Sequence, residues 1–169
     1  MATGTDLVGS SMISINLSYK NVVHDSIRSD MLAVSESQAW TFGDGTNEIE
    51  TVWHDTRSTD NTGESLIINT GATGNGGMVD AFGNTITIGV LKMLYIKNTH
   101  ATLSLVIGAV ANGINLIGGT TDSILIGPGA SIFWQDPVGM TLGDEDIIKI
   151  ACSTAATVTY SIAMAGEDL

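Results

Sequence analysis

The sequence contains few cysteines, prolines, basic residues and aromatic residues. It has one cysteine, two prolines and six basic residues among 169, and only 5% of its residues are aromatic. The single cysteine, Cys152, excludes a disulfide within the chain, and its apolar neighbours Ile150 and Ala151 predict a small buried side chain rather than a nucleophile. Twenty glycines predict many tight turns instead of a proline-rich tail.

The shortage of basic residues bears on possible partners. Eighteen acidic residues against six basic ones give a net charge of −12, which argues against binding to nucleic acid or to anionic membranes. No apolar run reaches the roughly 18 residues that a membrane-spanning helix needs. The first eleven residues contain neither a basic nor an apolar region of the signal-peptide kind, so we expect synthesis in the cytoplasm without export.

What the sequence does contain is alternation of apolar and polar residues with period two. Residues 11–19 alternate throughout, which predicts a strand with one wet face. Residues 80–98 begin with a turn and continue into the longest apolar segment, in which Gly89 predicts a bulge or a bend between two sheets. In this segment Thr85, Thr87 and Lys92 are expected to reach water.

The spacing of such segments predicts the fold class. Short strands recur every 10–15 residues without an amphipathic helix, which indicates an all-β protein, an antiparallel, jelly-roll-like β-sandwich of about 8–10 strands. We expect residues 1–20 to form an arm or strand used in assembly and residues 21–169 to form one sandwich domain. Residues 26–34 are expected to be a helical turn or irregular, and a strand at 131–135 is expected to end at Asp136 and Pro137.

The sequence gives little support for catalysis. His24, His54 and His100 are scattered, no serine lies in G-x-S-x-G, and no glycine-rich stretch has the spacing of a phosphate-binding loop. We therefore predict no enzyme, no catalytic residue, no cofactor and no metal. The acidic run 144–146 would bind Ca²⁺ if backbone carbonyls joined it, but it lacks the D-x-D-x-D-G pattern, so a solvated turn is favoured.

Aromatic and apolar residues are the candidates for partner binding. Trp40 and Trp134 are expected in the sandwich core, whereas Trp53 is the candidate for a surface or interface anchor. The predicted partner-binding residues come from one face of the predicted first strand and from the segment around Trp53. They are Ile13, Ile15, Leu17, Tyr19, Trp53, His54 and Arg57.

Five segments together resemble a family of small tailed-bacteriophage virion proteins. They are QAWTFGDGTNEIETVWHDTRS, ESLIINTG, DAFGNTITIGVLKMLYIKNT, IGPGASIFWQDPVG and VTYSIAMAG. Within them, the matching positions are 56–57, 80–87, 92–99, 128–129, 136–139 and 158–166. The resemblance covers roughly residues 38–166. The glycine-rich residues 71–77 and the acidic residues 144–146 depart from the family pattern.

The resemblance implies a function in the virus particle. Capsid decoration proteins of phages are commonly β-sandwiches, so it suggests a cement protein on the capsid surface, made in the host cytoplasm. Its implied partners are the major capsid protein and further copies of itself, as a dimer or trimer. Deletion of residues 1–20 is expected to weaken capsid attachment or oligomer formation. The alternatives are a tail or head-fibre module that binds a host glycan through Trp53, and a histidine-dependent hydrolase.

Overall fold

The chain is all-β, as the sequence predicts. The computed structural model describes residues 9–23, 26–70, 72–73, 77–80, 83–114, 116, 121–143 and 147–168, with the backbone alone at 19–23, 26–30 and 72–73. These residues contain twelve strands and no helix. They divide into two compact units, the first ending at Phe42 and the second beginning at Gly43.

The first unit is a long hairpin. Its strands are β1 (Gly9–Val23) and β2 (Ser26–Phe42), which pair antiparallel in a continuous register from Gly9 opposite Trp40 to Val23 opposite Ser26. The expectation of a helical or irregular segment at 26–34 is therefore wrong. Residues 31–34 are all apolar and residues 35–38 are all polar, so this strand lacks the alternation of residues 11–19.

The second unit contains ten strands. Their bounds are β3 (Glu48–Ile49), β4 (Thr51–Thr59), β5 (Glu64–Ile67), β6 (Ala72–Thr73), β7 (Val90–Asn98), β8 (Leu105–Gly108), β9 (Ser123–Ile126), β10 (Ser131–Thr141), β11 (Ile147–Cys152) and β12 (Val158–Glu167). Nine of these strands form two sheets, one with the order β10-β7-β12-β4 and the other with the order β6-β5-β11-β8-β9. All pairs of named strands in these sheets are antiparallel.

The two sheets of this unit pack as a sandwich around one apolar core. Burial alternates along the inner strands β5, β8 and β11 and through most of β7 and β12, as expected for strands with one face inward. Leu94, Ile107, Ile148 and Ile162 are among the core side chains, and Cys152 is buried there as a free thiol. The predicted antiparallel sandwich is confirmed, and the strand order is consistent with its jelly-roll-like character.

Gly89 is the point at which the chain passes from one sheet to the other. The Ile88 amide donates to Ile68 O (3.1 Å), at the end of β5, whereas the Gly89 amide donates to Glu167 O (2.9 Å) in β12. The predicted bend between sheets is therefore confirmed, although the regular strand begins only at Val90. Opposite this crossing, a Cβ on Gly166 would approach Val90 O to 2.0 Å, so the backbones meet closely there.

Strand β10 continues beyond its predicted end. Gln135 pairs with Met93 and Met140 pairs with Leu91, so three extra residues of β10 bulge out between these pairs. The bulge contains Pro137, which has no backbone N–H to donate to a neighbouring strand. It also contains Gly139, which has a φ of +89°. The prediction that the strand stops at Asp136 and Pro137 is wrong because the chain resumes pairing after the bulge.

Candidate functional site

The hairpin has one apolar face. Opposite residues of an antiparallel pair project from the same side, and successive pairs project from alternate sides. Ile15 lies opposite Val34, and Leu17 lies opposite Leu32. These four side chains and that of Ile13 form what we call the apolar ribbon face.

The apolar ribbon face is open to solvent over much of its area. The exposed fractions are 61% for Leu17, 52% for Leu32 and 42% for Ile15, while Ile13 and Val34 are half-buried. Three of the four predicted contact residues of the first strand therefore lie together on one surface. The side chain of the fourth, Tyr19, lies outside the described residues. Contiguous exposed apolar side chains of this kind are typical of interaction sites.

The opposite side of the hairpin is polar, and we call it the polar ribbon face. Its described side chains include five serines, Asn16 and two methionines, and the Asn16 amide donates to Ser14 Oγ at 3.3 Å. Met12 and Met31 are 69% and 77% exposed on this face. The difference between the two faces follows directly from the period-two sequence pattern.

The net charge is concentrated outside the hairpin. Residues 9–42 contain two basic and three acidic residues, a net charge of −1. Residues 43–169 contain four basic and fourteen acidic residues, a net charge of −10. The segment that bears the apolar ribbon face is therefore the nearly neutral part of a strongly acidic protein.

The second predicted group of contact residues lies on β4, where Trp53 and His54 face opposite ways. Trp53 is only 3% exposed and packs in the sandwich core, whereas His54 is exposed on the other face of the strand. The expected surface anchor at Trp53 is thus a core residue. Trp134 packs half-buried against the same core, and Trp40 is buried with its indole N–H donating to Ser11 Oγ at 3.0 Å.

Arg57 belongs to a network of charged and polar groups largely withdrawn from water. Its side chain is 9% exposed; Nε and Nη2 contact Glu64 Oε2 at 2.9 Å, and Nη1 contacts Asp55 Oδ2 at 2.8 Å. The second oxygen of Glu64 accepts a 2.5 Å hydrogen bond from the hydroxyl of Tyr160, which is fully buried. Arg57 lies opposite Tyr160 in the β4–β12 register, which explains why they share Glu64.

The electrostatics of this network raise the pKa values of Tyr160 and Arg57. Burial raises the pKa of the Tyr160 phenol far above its ordinary value, and the hydrogen bond to Glu64 adds to this effect. Burial by itself would lower the pKa of Arg57, but the carboxylates of Glu64 and Asp55 more than compensate. Through these contacts the network joins residues of β4, β5 and β12.

A second charged group is buried at Lys92. This side chain is fully buried; its ammonium donates to Gly45 O (2.6 Å) and Glu48 O (2.8 Å) and forms an ion pair with Glu167. The expectation that Lys92 reaches water is wrong because the loop 43–48 covers it. A buried ammonium is tolerated here since all three donors have acceptors.

The remaining candidates for chemistry do not converge among the described residues. His54 is exposed on β4, and His100 Nδ1 accepts hydrogen bonds from the amides of Thr102 (3.2 Å) and Leu103 (3.0 Å) in a turn. His24 and the acidic run 144–146 lie outside the described residues. Within the described ranges, no group of three His, Cys, Asp or Glu side chains is placed to hold a metal ion, and no helix is long and apolar enough to cross a membrane.

Two of the residues that complete the apolar ribbon face, Leu32 and Val34, were not among the predicted contact residues. Leu32, Ala33 and Val34 form an apolar run with no polar residue between them, so alternation alone does not place Leu32 and Val34 on one face. Comparisons with protein-family models, with curated proteins and with solved structures find no match for this chain.

Proposed function

We propose that this chain is a non-enzymatic structural protein of a tailed-phage virion. In this proposal it is a capsid decoration, or cement, protein that is made in the host cytoplasm, oligomerises and binds the lattice of the major capsid protein at the capsid surface. The observation that carries the proposal is the combination of a sandwich with a well-filled core and a long hairpin with an open apolar face. The resemblance of residues 38–166 to small phage virion proteins supports it.

The physical logic of a cement protein suits these features. A capsid filled with DNA is under outward pressure, and a rigid module that bridges neighbouring subunits adds binding free energy to the closed shell. The exposed residues of the sandwich strands include threonines and serines, such as Thr56, Ser58 and Thr159, which can hydrogen-bond to a partner directly or through water. Such interfaces are extensive and wet rather than dominated by one pocket.

The glycan-binding alternative has less support. It depended on an aromatic platform at Trp53, which lies in the core. Trp40 is buried as well, and Trp134 is half-buried against the core, so none of the three tryptophans is an open stacking surface.

Electron cryomicroscopy of the intact virion tests the proposal, together with the copy number of the chain measured by quantitative mass spectrometry. We expect density of the sandwich at regular lattice positions on the head and a fixed ratio to the major capsid protein. Location on the tail would favour the fibre alternative and overturn the cement function. Absence from purified particles would overturn the assignment to the virion altogether.

A further inference from the structure

We propose that the apolar ribbon face is the surface through which copies of this chain bind one another. In the oligomer, Ile15, Leu17, Leu32 and Val34 of one copy pack against the same residues of the next. This inference rests on the oligomeric part of the proposed function, but it requires no capsid, so it is testable on the purified protein.

The open leucines of the hairpin favour contact with a second apolar surface, because apolar area gains free energy when it is removed from water. Here the register runs over fifteen residue pairs, a length of about 50 Å at ~3.4 Å per residue. Such a ribbon with leucines 52% and 61% exposed gains stability when a second apolar surface covers them.

The distribution of charge favours a second copy that binds through the same segment. Association of two copies brings two acidic proteins together, and the −10 charge of residues 43–169 opposes this. Residues 9–42 carry a net charge of only −1, so contact through this segment adds the least electrostatic repulsion that the chain allows. Glu36 is the one charged residue among the described side chains on this side of the hairpin. It lies opposite Ile13, at the edge of the apolar ribbon face.

The apolar ribbon face is complementary to itself. Both strands contribute apolar side chains in the two central rows, Ile15 with Val34 and Leu17 with Leu32. A two-fold axis through the centre of these rows brings aliphatic side chains of one copy onto aliphatic side chains of the other. Closed symmetric contacts of this isologous kind are the commonest way in which identical chains associate.

The test compares two double variants of the full-length chain by analytical ultracentrifugation. Leu17→Thr with Leu32→Thr removes the centre of the apolar ribbon face but keeps residues that favour strands. The matched control, Met12→Thr with Met31→Thr, removes two more exposed apolar side chains from the polar ribbon face of the same strands. Near-ultraviolet circular dichroism, to which the buried Trp53 contributes, verifies that the sandwich is folded in both variants.

We expect the unaltered chain and the methionine variant to be oligomeric and the leucine variant to dissociate, with a dissociation constant higher by about a hundredfold or more. A monomeric unaltered chain would overturn the inference, and so would a leucine variant that associates normally. Equal dissociation of both variants would overturn the assignment to this face. A chain that is monomeric in solution but binds particles through the same leucines would identify the capsid as the occupant instead.

Disulfide trapping provides a second measurement that does not depend on weakening the complex. Ile15→Cys places a thiol in the centre of the apolar ribbon face, and Asn16→Cys places one on the polar ribbon face, while the native Cys152 is buried in both. Under mild oxidation we expect a covalent dimer from the first variant and at least about tenfold less from the second. Equal yields, or a higher yield from Asn16→Cys, would contradict the inference.

Discussion

At the scale of single residues, the polar groups buried in the sandwich are held by several partners each. Asn98 is fully buried, and its side-chain amide donates to Leu103 O (2.7 Å), Ile126 O (3.1 Å) and Gly127 O (3.1 Å). Glu64 is likewise held by Arg57 and Tyr160. Because an unsatisfied buried polar group costs about 1–3 kcal/mol, these networks make the arrangement of the surrounding strands specific.

The Tyr160 hydroxyl gives a prediction at this scale. Tyr160→Phe removes the donor to Glu64 and should lower the free energy of unfolding by about 1.5–3 kcal/mol, since the acceptor is charged and buried. The matched control is Tyr95→Phe on β7, at a half-buried position, which should change stability by less than about 0.5 kcal/mol. Urea unfolding at pH 7 measures both, and equal losses would contradict the assigned role of the Tyr160–Glu64 bond.

The raised pKa of Tyr160 adds a dependence on pH to the same pair of proteins. A group with a raised folded-state pKa contributes stability that is present below its unfolded pKa, here 10.0, and is lost as the pH rises toward the folded value. The unaltered protein should therefore lose stability above pH 10 faster than Tyr160→Phe does. The same urea titration at pH 8, 10 and 11 measures this, and parallel curves would contradict it.

At the scale of structural elements, Lys92 connects β7 to the loop 43–48. Its ammonium donates to the carbonyls of Gly45 and Glu48, and the carboxylate of Glu48 in turn accepts from the Gly45 amide at 2.8 Å. The Asn47 amide donates to Pro137 O at 3.0 Å, which ties this loop to the bulge of β10 as well. One lysine therefore supports the contact between a central strand and a loop that has few apolar anchors.

Replacement of this lysine should loosen the loop locally. Lys92→Met leaves two carbonyls and Glu167 without their donor, so we expect faster amide exchange at residues 43–50 and a loss of stability of about 3–5 kcal/mol. Lys97→Met on the same strand is the control, because Lys97 is exposed and its loss should be nearly neutral. Hydrogen–deuterium exchange with mass spectrometry reads both, and unchanged exchange at residues 43–50 in Lys92→Met would contradict the anchoring role.

At the scale of the whole molecule, most of the net charge and the apolar ribbon face lie in different segments of the chain. Residues 43–169 carry nearly all of the net negative charge, whereas residues 9–42 carry the open apolar face. The acidic sandwich keeps free chains soluble and repels other copies at a distance. The nearly neutral hairpin provides the short-range attraction that the proposed oligomer needs.

This separation predicts how salt affects association. Added salt screens the repulsion between acidic sandwiches but does not weaken apolar contacts, so the dissociation constant of the oligomer should fall between about 20 and 300 mM NaCl. If ion pairs between basic and acidic side chains in the segment 9–42 held the oligomer together, its dissociation constant would instead rise with salt. Sedimentation equilibrium across this range measures the trend, and weaker association at higher salt would contradict contact through the apolar ribbon face.

The sequence by itself determined the elements whose signal is local. Period-two alternation marked residues 11–19 and most sandwich strands, and Gly89 marked the crossing between sheets. Of the candidate site, the alternation placed Ile13, Ile15 and Leu17 on one face. These features depend on backbone geometry and on which side of a strand a residue faces, and both can be read from neighbouring residues.

Only the tertiary structure decided what covers each face. Trp53 looked like a surface anchor, and Lys92 looked solvated, yet the core covers the first and the loop 43–48 covers the second. Arg57 meets Tyr160 through a strand register that joins residues far apart in the chain. Alternation tells which residues share a side but not which element packs there, because packing depends on strand order and register across the whole chain.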